Sequence, residues 1–151
     1  MRVNAVSIPT NVWKSFMATV TPPADPESDP RVKAVFDDIR ATRNTDWINA
    51  LWHYLAFDPT LLEETWRDVK GLMATETLID FKTKEMLYLA VSIANACDYC
   101  AHSHTAAAKA RGMTDAEHGE LMRIVGLASK TNALANGIKP PIDNVFDKER
   151  A

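Results

Sequence analysis

Apolar residues recur at helical spacing along this chain, in blocks separated by proline, glycine and acidic residues. Val32, Val35, Phe36 and Ile39 form the first stripe, with Asp37, Asp38 and Arg40 on the other side. Asp29-Pro30 precedes it, an acid at the N-cap followed by proline at the first helical position, where its missing N–H costs nothing. The pattern predicts an amphipathic helix ending near Arg43. Ile48, Leu51, Trp52 and Leu55 predict a short second helix from about Asp46 to Phe57. Asp58-Pro59 repeats the start signal, and Leu62, Trp66, Val69 and Met73 continue it as a third helix. Trp52 and Trp66 are expected as core fillers rather than a ligand cage, because aromatic side chains bury so much area.

From Asp80 the pattern changes. Phe81, Met86, Leu87, Leu89, Ala90, Val91, Ile93 and Ala94 leave almost no polar face, which predicts a fourth helix at the buried centre of the domain. Asn95-Ala96-Cys97-Asp98 predicts a break, and Tyr99 to Arg111 a fifth helix closed by Gly112. Thr114 followed three residues later by Glu117 has the capping-box pattern, with Leu121, Ile124, Val125 and Ala128 as the buried stripe of a sixth helix. From Lys130 onward Gly137, Pro140 and Pro141 predict a less regular end. No apolar run alternates like a strand, and Asn136-Gly137 lacks alternating flanks, so the expected fold class is all-α, a bundle of about six to seven helices.

Residues 1–28, interrupted by Pro9, Pro22, Pro23 and Pro26, read as an irregular N-terminal arm able to reach a neighbouring subunit. Residues 29–151 read as a single helical domain, and a chain of 151 residues is long enough for one core without staples. The net charge is −3, and basic residues such as Arg31, Lys33, Arg40 and Arg43 are not gathered into a patch, so no nucleic-acid partner is expected. Asn4, Ser7, Pro9 and Thr10 interrupt any apolar run near the start, as a secretory signal would not. The run from Met86 to Ala94 contains Ser92 and is too short to span a bilayer. A soluble, cytoplasmic protein with no membrane association is expected. In a reducing compartment a lone Cys-x-x-Cys pair is more often catalytic or metal-binding than a permanent bridge.

That pair is Cys97-x-x-Cys100, the two cysteines of the chain, with His104 four residues beyond and Glu85 twelve residues before. On a helix, positions 97, 100 and 104 fall within about 60° of one another, so the three share a face and His102 points elsewhere. A helix N-terminus stabilises a thiolate, so at least one sulfur is expected to be nucleophilic at neutral pH. His104 is placed to relay a proton, and Glu85 to orient that relay if its helix packs antiparallel. Two other readings stand beside this one. The cysteines could be small buried hydrophobes. A zinc site would use Cys97, Cys100, His102 and His104, although ligands two apart on one helix diverge and no second ligand pair lies at the usual separation. His53 and His118 read as surface or core residues.

Glu85, eleven residues, Cys97-x-x-Cys100-x-x-x-His104 resembles the signature of alkylhydroperoxidase D and its relatives in the carboxymuconolactone decarboxylase superfamily. The similarity extends over roughly Asp46 to Ala128, including Asp58-Pro59-Thr60-Leu61-Leu62 and Ala94-Asn95-Ala96-Cys97. It implies a compact helical fold assembling as homotrimers or homohexamers. It also implies a peroxiredoxin-type cycle, without cofactor or metal, in which Cys100 attacks a hydroperoxide and Cys97 resolves the sulfenic acid as a disulfide. Glu85 and His104 then belong to a proton relay, and a dithiol donor, lipoamide- or thioredoxin-like, reduces the bridge. One position departs from the pattern: Tyr99 stands where founding members carry a histidine, and a phenol with a pKa near 10 is a poor proton carrier at pH 7. That departure predicts a weak peroxidase or a different substrate. A lactone decarboxylase of the superfamily's other branch, which works without redox cysteines, and a non-catalytic, redox-sensing helical oligomer are the competing functions.

Overall fold

Side-chain caps fix where most of the described helices begin, acidic at Asp29, Asp58 and Asp80 and neutral at Cys97 and Thr114. The computed structural model describes residues 18–146, and these contain six α-helices and no strand, the all-α class that the spacing predicts. The chain divides between Thr75 and Glu76 into two compact units.

In the first unit, α1 (Pro30–Arg43) starts at Asp29, whose carboxylate accepts the N–H groups of Arg31 and Val32 at 2.8 and 3.4 Å. α2 is shorter than expected, Ala50–Leu55, and α3 (Pro59–Val69) starts at Asp58 in the same way as α1 before widening into a π-turn over Lys70–Ala74. Val32, Phe36, Ile39, Ile48, Trp52, Leu62 and Trp66 close into one buried cluster. Trp52 and Trp66 meet edge to face at 5.4 Å between ring centroids, the core role expected of them. The Trp66 indole N–H donates to Asp38 at 2.7 Å, so its polar end is satisfied beside the core. Residues 1–17 of the expected arm lie outside the described residues. Its last part is a 3₁₀ turn, Pro26–Ser28, tied to α1 by Glu27, which accepts two hydrogen bonds from Arg40.

The second unit holds α4 (Phe81–Ala94), α5 (Asp98–Ala110) and α6 (Asp115–Ile138). Leu89, Ala108, Met113 and Leu121 form its buried cluster, with Met86, Ile93, Ala101 and Val125 packed against it. α4 is not buried all round, as its apolar content predicts. Within one chain it buries Lys84, Glu85, Leu89 and Ser92, while Leu87 and Val91 are 54% and 58% exposed. α6 also departs from expectation. It runs unbroken to Ile138, because no proline interrupts it before Pro140 and Lys139 ends it in the left-handed conformation. Of its predicted stripe only Leu121 is buried, and Ile124 is exposed. Its start is as predicted: Thr114 and Glu117 form a complete capping box, and Glu117 also accepts from Lys82 of α4 at 2.7 Å. The Lys82 hydrogen bond, with those of Thr114 behind it, brings the Glu117 carboxyl down to about 2.

The turn from α4 to α5 positions the candidate chemistry. The Cys97 N–H reaches back to the Ser92 carbonyl at 2.9 Å and the Ala96 N–H to Ile93 at 3.1 Å, the two bonds of a Schellman closure. That closure needs a left-handed residue between them, and Ala96 takes it at φ 54°, where its Cβ crowds the carbonyl. Glycine has no such cost. Ala96→Gly is expected to stabilise the fold by up to about 1 kcal/mol, read as a higher denaturant midpoint with unchanged slope. A lower midpoint would contradict a strained turn.

Candidate active site

The four residues singled out by the sequence lie on two helices and the turn between them. α4 supplies Glu85, the turn supplies Cys97, and α5 supplies Cys100 and His104. α5 folds back along α4, so Glu85 and His104, nineteen positions apart, come together: His104 Nδ1 and Glu85 Oε2 are 2.6 Å apart. This is the antiparallel packing the relay requires. The Glu85 side chain is 9% exposed and that of His104 19%. A carboxylate only accepts, so the proton of this bond sits on Nδ1, and Nε2 is left as the nitrogen free to exchange protons.

Cys97 does not share the helical face as expected. It is the N-cap of α5, in extended conformation, and its sulfur accepts the Cys100 N–H at 3.4 Å. The angular argument therefore holds for Cys100 and His104, one turn apart within α5, while Cys97 approaches the same place from the cap. His102 is exposed, away from the buried pair. Among the described residues no group of three or more His, Cys, Asp and Glu side chains could hold a metal ion.

The surroundings of Cys100 disfavour a thiolate at that position. Burial, then the hydrogen bond with Cys97, then the negative charge that Cys97 carries when ionised, push the Cys100 thiol up to about 11. The backbone N–H of Cys100 pulls its thiol down, but by less than these effects push it up. Cys100 is thus a protonated thiol at neutral pH and needs a base at the moment it reacts. Both cysteines are free and partly accessible, not sealed in apolar packing.

One residue of the cluster escapes a reading of motifs alone. Tyr88 stacks on His104 with ring centroids 3.7 Å apart and planes 21° from parallel. Its position one turn after Glu85 on α4 is the signal that could have found it, since residues three apart face the same neighbour. Burial of its ring, and behind that the negative charges of Cys100, Cys97 and Glu85, push its phenol up.

The arrangement can hold a proton at Nδ1, take one at Nε2, and join two sulfurs. Residues 60–140 match the Carboxymuconolactone decarboxylase family. The crystal structure of an alkylhydroperoxidase AhpD core from Rhodospirillum rubrum is similar, with 56% sequence identity, a TM-score of 0.82, and coverage of 86% of this chain and 97% of that one. No curated protein matches the chain.

The raised Cys100 thiol makes a measurable expectation. Iodoacetamide labelling of Cys100 in the native reduced protein, followed by peptide mass, should rise about tenfold per pH unit from pH 7 and level only near 11. A plateau below pH 9 would contradict it.

Proposed function

Because the chain belongs to the carboxymuconolactone decarboxylase family and is similar over most of its length to an alkylhydroperoxidase core, we propose that it is a thiol-dependent hydroperoxide reductase working through a Cys97–Cys100 disulfide cycle. The observation that carries this reading is the Glu85–His104 pair, largely withdrawn from solvent and set one helical turn from a thiol whose ionisation burial and Cys97 oppose.

In this reading His104 Nε2 takes the Cys100 proton as the sulfur attacks the terminal oxygen of a hydroperoxide. The O–O bond breaks, Cys100 becomes a sulfenic acid, and the imidazolium returns the proton to the leaving alkoxide, giving an alcohol. Glu85 holds Nδ1 throughout and stabilises the transient imidazolium. Cys97 then attacks the Cys100 sulfur, the S–O bond breaks, water leaves and the disulfide closes. Two electrons have passed from the sulfurs to the peroxide. An external dithiol, lipoamide- or thioredoxin-like, restores them by exchange.

The sulfurs are three residues apart across a helix cap, so the bridge can close with little chain movement. The exposed Leu87 and Val91 on α4, and Ile124 and Leu127 on α6, favour assembly with further copies of this chain, as a homotrimer or homohexamer. Among the described residues no helix is long and apolar enough to cross a membrane, which suits the cytoplasmic location proposed here.

A lactone decarboxylase is the competing activity within the family, and one substitution separates them. Reduced wild-type protein should convert one equivalent of an organic hydroperoxide to its alcohol while losing both thiols. Cys100→Ser should lose this turnover by on the order of 10⁴-fold or more. Undiminished peroxide reduction in Cys100→Ser, or lactone decarboxylation that survives the change, would overturn the proposal.

A further inference from the structure

We propose that Tyr88 is a positioning residue, whose ring fixes the plane of the His104 imidazole so that Glu85 and the cysteines are served by opposite ring nitrogens. The inference rests on the hydroperoxide-reductase reading for its rate consequence, though not for its structural one.

A single hydrogen bond fixes a ring at one point. With Nδ1 held 2.6 Å from Glu85, the imidazole can still swing about that contact, and Nε2 would sweep an arc rather than face one spot. A near-parallel ring at 3.7 Å removes that freedom, because rotation out of plane would drive the two faces into overlap. Edge and face are thereby held by two residues of one helix, Glu85 and Tyr88. A neighbouring aromatic face also favours the imidazolium that forms in the reaction.

Packing alone does not account for Tyr88. It is 41% exposed and stands outside the buried cluster of Leu89, Ala108, Met113 and Leu121. Its ring lies over His104, while its remaining surface meets solvent, so it screens one face of the imidazole from water. The phenol, pushed up by burial and by the nearby sulfurs and carboxylate, stays protonated over the working range. Its hydroxyl is therefore no proton carrier, and the flat ring is the part that matters. That separates the role from a relay: phenylalanine should suffice, and a flexible aliphatic side chain should not.

The test uses the full chain and the variants Tyr88→Phe, Tyr88→Leu and Tyr88→Met, the last guarding against a poorly folded leucine variant. Thermal unfolding confirms that each is folded. Long-range ¹H–¹⁵N spectra of the reduced protein report whether the His104 ring holds one orientation, whatever the substrate proves to be. Stopped-flow disulfide formation with cumene hydroperoxide reports the rate. The expected result is one sharp set of His104 ring signals in wild type and Tyr88→Phe, and exchange-broadened ring signals in the aliphatic variants, with the Nδ1 proton retained in all because Glu85 still accepts it. Rates should stay within about twofold for Tyr88→Phe and fall by roughly ten- to a hundredfold for the others. Unchanged ring signals and rate in both aliphatic variants would overturn the proposal, as would a Tyr88→Phe defect equal to theirs. A wild-type protein inert towards the peroxide would instead count against the reductase reading, and the comparison of ring signals would still decide the role of Tyr88.

Discussion

The hydrogen bond between Glu85 and His104 is the constraint on which the arrangement turns. It joins α4 to α5 at 2.6 Å with both side chains largely withdrawn from solvent. A carboxylate in that position is costly unless it is paired, and removing its partner would leave an uncompensated buried charge. The pair is therefore a structural commitment as well as a chemical one. It sets the register of one helix against the other, and with it the distance from the imidazole to the turn that carries the cysteines. Tyr88 meets the histidine because it is one turn from Glu85, and Cys100 precedes the same histidine by one turn within α5.

The two sulfurs occupy unlike positions despite their close spacing. Cys97 caps α5 and receives an amide N–H, while Cys100 sits inside the first turn with its proton held by burial and by Cys97. A thiol pushed up to about 11 would be a poor nucleophile by itself, which makes an adjacent base a requirement. On the proposed reading the low resting reactivity has a use. The sulfur becomes nucleophilic only when an acceptor is present and the base is aligned, so Cys100 is not a standing thiolate open to unrelated electrophiles.

Much of this was legible before the structure. Asp29-Pro30, Asp58-Pro59 and the Thr114–Glu117 box mark helix starts because capping is local chemistry between neighbours in sequence. Glu85 and His104 were readable as partners from the spacing of a helical hairpin. Three things were not. Cys97 at the cap depends on where the Schellman closure falls, a matter of one or two residues that periodicity cannot resolve. The raised Cys100 thiol depends on burial and on the neighbouring Cys97 sulfur, whose balance spacing alone does not give. The exposed faces of α4 and α6 read as core from composition, because an apolar stripe does not say whether its cover comes from the same chain or from another.

The central claim is that a Glu85-held His104 removes the Cys100 proton as the thiol reacts. Its most direct test is the pH dependence of disulfide formation after mixing reduced protein with an organic hydroperoxide, in wild type and in Glu85→Gln. The expected wild-type rate levels off far below the ionisation of the Cys100 thiol. In Glu85→Gln a slower rate is expected, climbing about tenfold per pH unit because the scarce thiolate limits it. Superimposable profiles for the two proteins would contradict it.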